Sequence, residues 1–361
     1  MRRPDFTRFL RTLHLQGEPD YVPLFDSIDI QVKSAFLGRK ITNIKDEVEF
    51  AEKAGYDYVL IEIGFRPTWR SRIIAGQETA SVKPILQFEK AQYSAYTDEE
   101  NARAWANEHS GNIMSLEDFE NFSFPKISDF DFSSVEKIQP LLPEGMKIIA
   151  SVDGVFTPVW LLMGGENFYL SLIKNPELVA KMFQQVGGVQ HEVIRRFLSY
   201  ANIGALRIND DIAYNTGPLV SPKHLHQYFF PWLKKTGDIC QGKNVPLIYH
   251  SDGNLMLIMD DIINSGVSAL HPIQPNAMDI IEVKKRYGGR LCLIGNIDMD
   301  IMTRKEPRDV EELVKKNLRN VAPGGGYIVG ASNSVPEFIP LKNYNAMRET
   351  SLKYGKYPIS V

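Results

Sequence analysis

Pro246-Leu247-Ile248-Tyr249-His250-Ser251-Asp252-Gly253-Asn254 is a short apolar run that stops at a histidine, with an aspartate two residues on and Gly-Asn behind it. This is the pattern of a buried strand that delivers polar side chains into a turn. A buried strand needs neither an imidazole nor a carboxylate, so the pair at its end marks a site. Seven other stretches repeat the form. Residues 21–25 end at Asp26, 56–61 at Glu62, 146–152 at Asp153, and 205–208 at Asn209-Asp210-Asp211. Residues 267–270 end at His271, 291–294 at Gly295-Asn296, and 326–329 lead to Ala331-Ser332-Asn333.

Helical patterns fill most of the gaps. Val48, Ala51 and Ala54 share a face in 44–54, and Leu178, Met182, Val186, Val189 and Ile194 recur through 176–200. Residues 222–241, 255–265, 277–287 and 307–321 behave likewise, and 6–17 read as a short N-terminal helix. Strands that alternate with helices pair in parallel, because a parallel crossover needs a dozen or more residues. Eight such units predict an α/β fold, a single (β/α)8 TIM barrel over 1–361, with an open doubly wound sheet as the alternative. The polar residues favour the barrel, whose catalytic groups gather at the C-terminal ends of the strands. One connection, about 64–142 after strand 2, is too long for a βα loop and is expected to be a lid or an oligomer contact. Within it, 79–86 read as a strand or hairpin and 93–132 as surface helices and loops.

Composition narrows the function. The chain has 361 residues, 43% hydrophobic and 24% charged, with a formal net charge of -3. There is no basic footprint for nucleic acid, and no apolar run approaches the length of a membrane span. Met1-Arg2-Arg3-Pro4-Asp5 does not open a signal peptide, and Cys240 and Cys292 make no disulfide framework. A reduced, cytoplasmic setting is expected.

His250 and Asp252, at i and i+2 of an extended segment, point the same way and can act as metal ligands or as an acid/base pair. The plainer reading makes Asp252 the cap of a helix near Leu255. An acid doublet after a buried strand is unfavourable unless paired or metal-bound, so one of Asp210 and Asp211 is expected to cap a helix and the other to enter the site. Asp210 is assigned to the site. Gly324-Gly325-Gly326 precede a strand instead of joining strand to helix, which is not a phosphate loop. Both cysteines suit core packing, and His224 and His226 fall among helix aromatics. Phe156, Trp160 and Tyr214 follow barrel strands and could line an aromatic-accepting pocket.

From His250 onward the residues Gly266-Val267-Ser268-Ala269-Leu270-His271-Pro272-Ile273-Gln274-Pro275, Gly295-Asn296-Ile297-Asp298 and the Gly-Gly-Gly-Tyr-Ile segment resemble the uroporphyrinogen decarboxylase superfamily. The resemblance is close over the C-terminal two-fifths and implies a (β/α)8 barrel. It also implies one of two chemistries, cofactor-free decarboxylation of uroporphyrinogen or methyl transfer to or from a corrinoid, often with zinc. The decarboxylase branch carries an arginine-rich motif after its first strand, where this chain reads Asp26-Ser27-Ile28-Asp29-Ile30-Gln31. The histidine that branch places after its last strand is Asn333 here. The thiol-methylating branch uses His-x-Cys and a second cysteine as zinc ligands. Here Asp252 and Asn333 stand at those cysteine positions beside His250, which leaves a harder set of ligands.

The resemblance therefore implies a methyltransferase that moves a methyl group from a small donor, such as an aryl methyl ether (O-demethylation), to the cobalamin of a partner corrinoid protein. His250, Asp252 and Asp210 would be catalytic and hold a divalent metal such as zinc, and Asn333 would donate a hydrogen bond to substrate. Asp26, Glu62, Phe156, Tyr214, His271 and Ser332 are expected around the substrate. Homodimers occur in the resembled family. The alternatives are a cofactor-independent decarboxylase, which a buried arginine such as Arg207 or Arg66 would favour, and a non-enzymatic tetrapyrrole or corrinoid carrier, which an acidic mouth disfavours.

Overall fold

Seven of the eight apolar runs form one curled parallel sheet in the computed structural model, which describes residues 2–65, 88–90, 104–106 and 111–361. In chain order the strands are β1 (Tyr58–Glu62), β2 (Phe88–Lys90), β3 (Ala104–Ala106), β4 (Lys147–Asp153), β5 (Ile203–Asn209) and β6 (Ala213–Tyr214). They continue with β7 (Gly217–Pro218), β8 (Leu247–His250), β9 (Ala269–His271), β10 (Cys292–Ile294) and β11 (Tyr327–Ile328). The sheet order is β1-β4-β5-β8-β9-β10-β11, and each neighbouring pair is parallel. Its strands are apolar on both faces because side chains fill the interior and helices cover the outside.

The covering helices follow from their sequence. Pro176–Phe197 starts with a proline at its first position, and the Asn175 side chain accepts from Leu178 N. Leu178, Met182, Val186 and Ile194 are buried along one stripe. Val310, Val314, Leu318 and Val321 do the same on Pro307–Val321.

The first expected strand differs. Residues 21–25 do not form a ladder, because Pro23 lacks an N–H. Phe25 N donates to Val329 O (2.8 Å) and Val329 N to Pro23 O (3.0 Å), which makes one parallel bridge, Leu24 to Val329, beside β11. On the β1 side the Tyr58 hydroxyl lies 2.8 Å from Asp26 N and 3.0 Å from Asp26 O. The TIM-barrel-like fold is thus seven strands closed by a segment that a tyrosine side chain stitches in place.

After β1, the strands β2 and β3 make a two-stranded antiparallel sheet. The strand or hairpin expected at 79–86 lies outside the described residues. Leu116–Asn121 is a short helix with a Ser115–Asp118 capping box. Ser133–Ile138 turns Val135 and Ile138 inward. No helix of the described residues is long and apolar enough to cross a membrane.

Candidate active site

The C-terminal ends of β5, β8 and β9 converge. In the ladder Asn209 is opposite His250, and His250 is opposite His271. The turn after β8 is pinned by backbone and hydroxyl contacts. Ser251 N donates to His271 O (3.0 Å), Ile212 N to Ser251 Oγ (3.1 Å) and Ser251 Oγ to Asp252 O (3.0 Å). Gly253 has φ 88°, and a Cβ there would meet the Ala213 carbonyl at 2.5 Å, so only glycine brings β6 this close.

Within that frame one ligand atom each from Asp211, His250 and Asp252 lies within 4.8 Å of the others. His250 Nε2 is 3.9 Å from Asp211 Oδ1, and that oxygen accepts a hydrogen bond from Asp252 N (2.9 Å). Asp252 Oδ2 accepts from Asn333 Nδ2 (2.7 Å), whereas Asp252 Oδ1 is buried with no hydrogen-bond partner among the described residues. Burial and the neighbouring Asp211 push the Asp252 carboxyl up to about 7, against the opposing pull of Arg207 and Asn333. A buried carboxylate oxygen without a donor is unfavourable, and a cation is the natural partner for it. One imidazole and two carboxylates fit a divalent ion of zinc or harder type with positions left open.

The acid doublet divides into a capping acid and a site acid with the assignments exchanged. Asp210 is buried, and its oxygens accept from Val155 N (2.7 Å), Phe156 N (2.9 Å) and Thr157 N (2.6 Å), the start of the helix Phe156–Met163. That is an N-terminal cap from a neighbouring strand, favoured by the helix dipole, while burial pushes the carboxyl up to about 6. Three donors already hold it there, and Asp211, not Asp210, lies with His250 and Asp252. The signal was available in strand parity. Arg207, Asn209 and Asp211 alternate onto the inner face, and Asp210 takes the other.

Several expected substrate residues sit elsewhere. Phe156 is buried among Phe168 (ring centroids 5.4 Å) and Phe229 (6.4 Å), so it is core. Tyr214 is 66% exposed and contributes its carbonyl to Asn254 N (2.8 Å). Ser332 is buried, with its N–H on Ile297 O (2.7 Å). Asp26 lies in the stitched seam, where its oxygens accept from Ala331 N and Tyr56 OH (both 2.8 Å). His271 is fully buried behind His250, 2.6 Å between their Nδ1 atoms, and its ring also meets Phe25 edge-on. Asn333 Nδ2 donates to Asp252 Oδ2 (2.7 Å), and its Oδ1 accepts from Ser334 N (2.6 Å). Glu62 keeps its place at the rim, within 3.4 Å of Ser151 Oγ.

The inner wall beside the ligand cluster is polar. Asn209 Nδ2 donates to Ser151 Oγ (2.8 Å) and Val152 O (3.3 Å), which leaves Asn209 Oδ1 buried and without a partner among the described residues. Arg207 is buried, its guanidinium 5.6 Å from the Phe25 ring centre. Arg66 lies outside the described residues.

Comparison with known proteins adds the lineage. The model of the uroporphyrinogen decarboxylase (URO-D) family matches residues 109–354. The fold is similar to that of a methyltransferase from Methanosarcina mazei, with TM-score 0.69 and 16% identity over 98% of this chain and 99% of that one. A sugar phosphate isomerase/epimerase from Parabacteroides distasonis ATCC 8503 aligns at TM-score 0.41 and 11% identity, over 94% of this chain and 99% of that one. A search of curated protein sequences finds no match.

Proposed function

We propose that this chain, which belongs to the uroporphyrinogen decarboxylase family, is a methyltransferase that passes a methyl group from an aryl methyl ether to the cobalamin of a separate corrinoid protein. The observation that carries the reading is the Asp211–His250–Asp252 cluster with its unpartnered Asp252 oxygen. The name of the Methanosarcina mazei fold relative points the same way.

In demethylation the methyl–oxygen bond breaks with its electron pair left on oxygen. The site must therefore meet charge developing on that atom. Asp211, His250 and Asp252 would hold a divalent ion, zinc first, which would supply Lewis acidity toward it. The chain's own side chains do the positioning. Asn333 fixes Asp252 by the 2.7 Å hydrogen bond, and Asp252 N in turn fixes Asp211. Asn209 Oδ1 offers an acceptor on the wall beside His250, where a donor group of the substrate would satisfy it. Buried Arg207 tempers the negative charge that the carboxylates concentrate.

The test is metal content by mass spectrometry, wild type against His250→Ala, followed by methoxyarenes with reduced cobalamin. About one equivalent of zinc in the wild type and none in the variant, with methylcobalamin formed only by the wild type, is the expected result. No stoichiometric metal after reconstitution would refute it. One observation favours a second reading, cofactor-free decarboxylation: buried Arg207 could meet a substrate carboxylate. Asp211 and Asp252 repel such a group, so the methyltransferase reading is preferred.

A further inference from the structure

The peptide group that follows Asp252 is held at both ends. Its carbonyl, Asp252 O, accepts from Ser251 Oγ (3.0 Å), and its N–H, on Gly253, donates to Gln274 Oε1 (2.8 Å). The peptide group before Asp252 is held through Asp252 N, which donates to Asp211 Oδ1 (2.9 Å). Peptide groups are planar, so fixing the planes on either side of a Cα leaves its side chain only its own rotamers. The Gln274 amide fits in one orientation. A backbone N–H cannot accept, so Oε1 faces Gly253, and Nε2 is left to donate to Asn215 Oδ1 (3.2 Å).

Gln274 is itself anchored. It follows β9, and its backbone carbonyl accepts from Ala277 N (3.0 Å) and Met278 N (2.9 Å). Met278 Sδ accepts from Leu255 N (3.4 Å), so the segment after β9 grips the turn at Gly253 and again at Leu255. Asn215 lies in the turn that joins β6 to β7, and the neighbouring Tyr214 carbonyl takes Asn254 N (2.8 Å). One half-buried amide thus ties the turn after β8 to the segment after β9 and to the β6–β7 hairpin.

We propose that Gln274 is a positioning residue that sets the direction in which Asp252 presents its carboxylate, and with it the approach of Asp252 to Asp211. This rests on the reading of Asp211, His250 and Asp252 as a cation site and extends it. Gln274 acts through the Asp252–Gly253 peptide group, as outer hydrogen bonds orient ligating residues in other metal centres.

The experiment compares wild type with Gln274→Met, which keeps the side-chain length and removes both hydrogen bonds, and with Gln274→Glu, which keeps the acceptor. Backbone amide exchange is followed by NMR on metal-free protein, and zinc affinity by isothermal titration. In Gln274→Met the Gly253 amide should exchange about five- to tenfold faster for the lost hydrogen bond. The Asp252 amide should quicken with it as its hold on Asp211 loosens, and zinc should bind roughly tenfold more weakly. Gln274→Glu should bring both amide rates back. A Gly253 amide that quickens alone, with the Asp252 amide and zinc affinity unchanged, makes Gln274 a loop fastener and overturns the proposal. So does an unchanged Gly253 rate in the folded variant. Gln274→Asn, too short to reach Gly253, gives the same comparison should Gln274→Met not fold. Because the amide rates are read without metal, wild-type protein that binds no zinc refutes the cation-site reading, while the coupling of Asp252 to Gln274 is still decided by the exchange.

Discussion

Two buried carboxyl groups, Asp26 and Asp252, are both pushed up to about 7 by burial, yet they sit in very different surroundings. Asp26 belongs to the seam that closes the barrel. One of its oxygens takes the Ala331 N–H, the other the Tyr56 hydroxyl, and Tyr56 continues to Tyr344 at 3.1 Å. Asp252 belongs to the rim, where one oxygen is satisfied by Asn333 and the other by nothing among the described residues. A displaced acidity therefore does not distinguish a structural carboxyl from a functional one. The unsatisfied oxygen does, because a buried carboxylate oxygen with no donor asks for a partner, and the Asp26 oxygens already have theirs.

The contrast can be broken most directly at the rim. His250→Ala and Asp252→Ala should each lose stoichiometric zinc and transfer activity by about 100-fold or more, the upper end for loss of a metal-site partner. Their thermal midpoints without metal should stay near wild type; Asp252→Ala with full activity would sink the site. The seam should answer differently, through pH. A carboxyl that titrates near 7 in the fold, against an ordinary 3.8, gives stability that is complete below about pH 4 and is lost as the pH rises through about 7. Asp26→Asn removes that loss. In denaturant titrations its stability relative to wild type should grow by on the order of a few kcal/mol between pH 4 and 8, with zinc binding unchanged. A difference that stays flat with pH would show that Asp26 ionises freely.

Smaller effects separate the acid doublet. Asp210→Asn should destabilise by about 1–2 kcal/mol through the weakened cap and leave zinc bound. Asp211→Asn should lower zinc affinity roughly tenfold with little change in thermal midpoint, and the reverse pattern would restore the other assignment. The smallest change expected is Asn333→Ala, a few-fold weaker zinc affinity from a freed Asp252, read by isothermal titration.

Much of this was legible in the sequence because burial and chain direction speak locally. The runs that became β4, β5 and β8 are mostly apolar, and each stops at a polar residue where the sheet meets the mouth. His250 and Asp252 share a parity that survives folding. What misled was mostly partnership across the chain. Pro23 looked compatible with a strand until its missing N–H met the ladder beside Val329. Asp210 and Asp211 could be sorted only by which face of β5 looks inward, and Arg207 and Asn209 carried that information unused. Phe156 and His271 follow or end strands as site residues do. Their burial comes from an aromatic cluster and a stacked imidazole contributed by distant segments.

The 2.7 Å contact between Asp252 and Asn333 joins positions 81 residues apart. These are the two places where the thiol-methylating relatives implied by the resemblance carry cysteines. Adjacent side chains that can change together form an exchangeable cassette, with His250 as its fixed hinge. If the cluster holds a cation as proposed, Asp252→Cys with Asn333→Cys would turn a hard corner into a soft, thiolate-favouring one by two substitutions outside the strands.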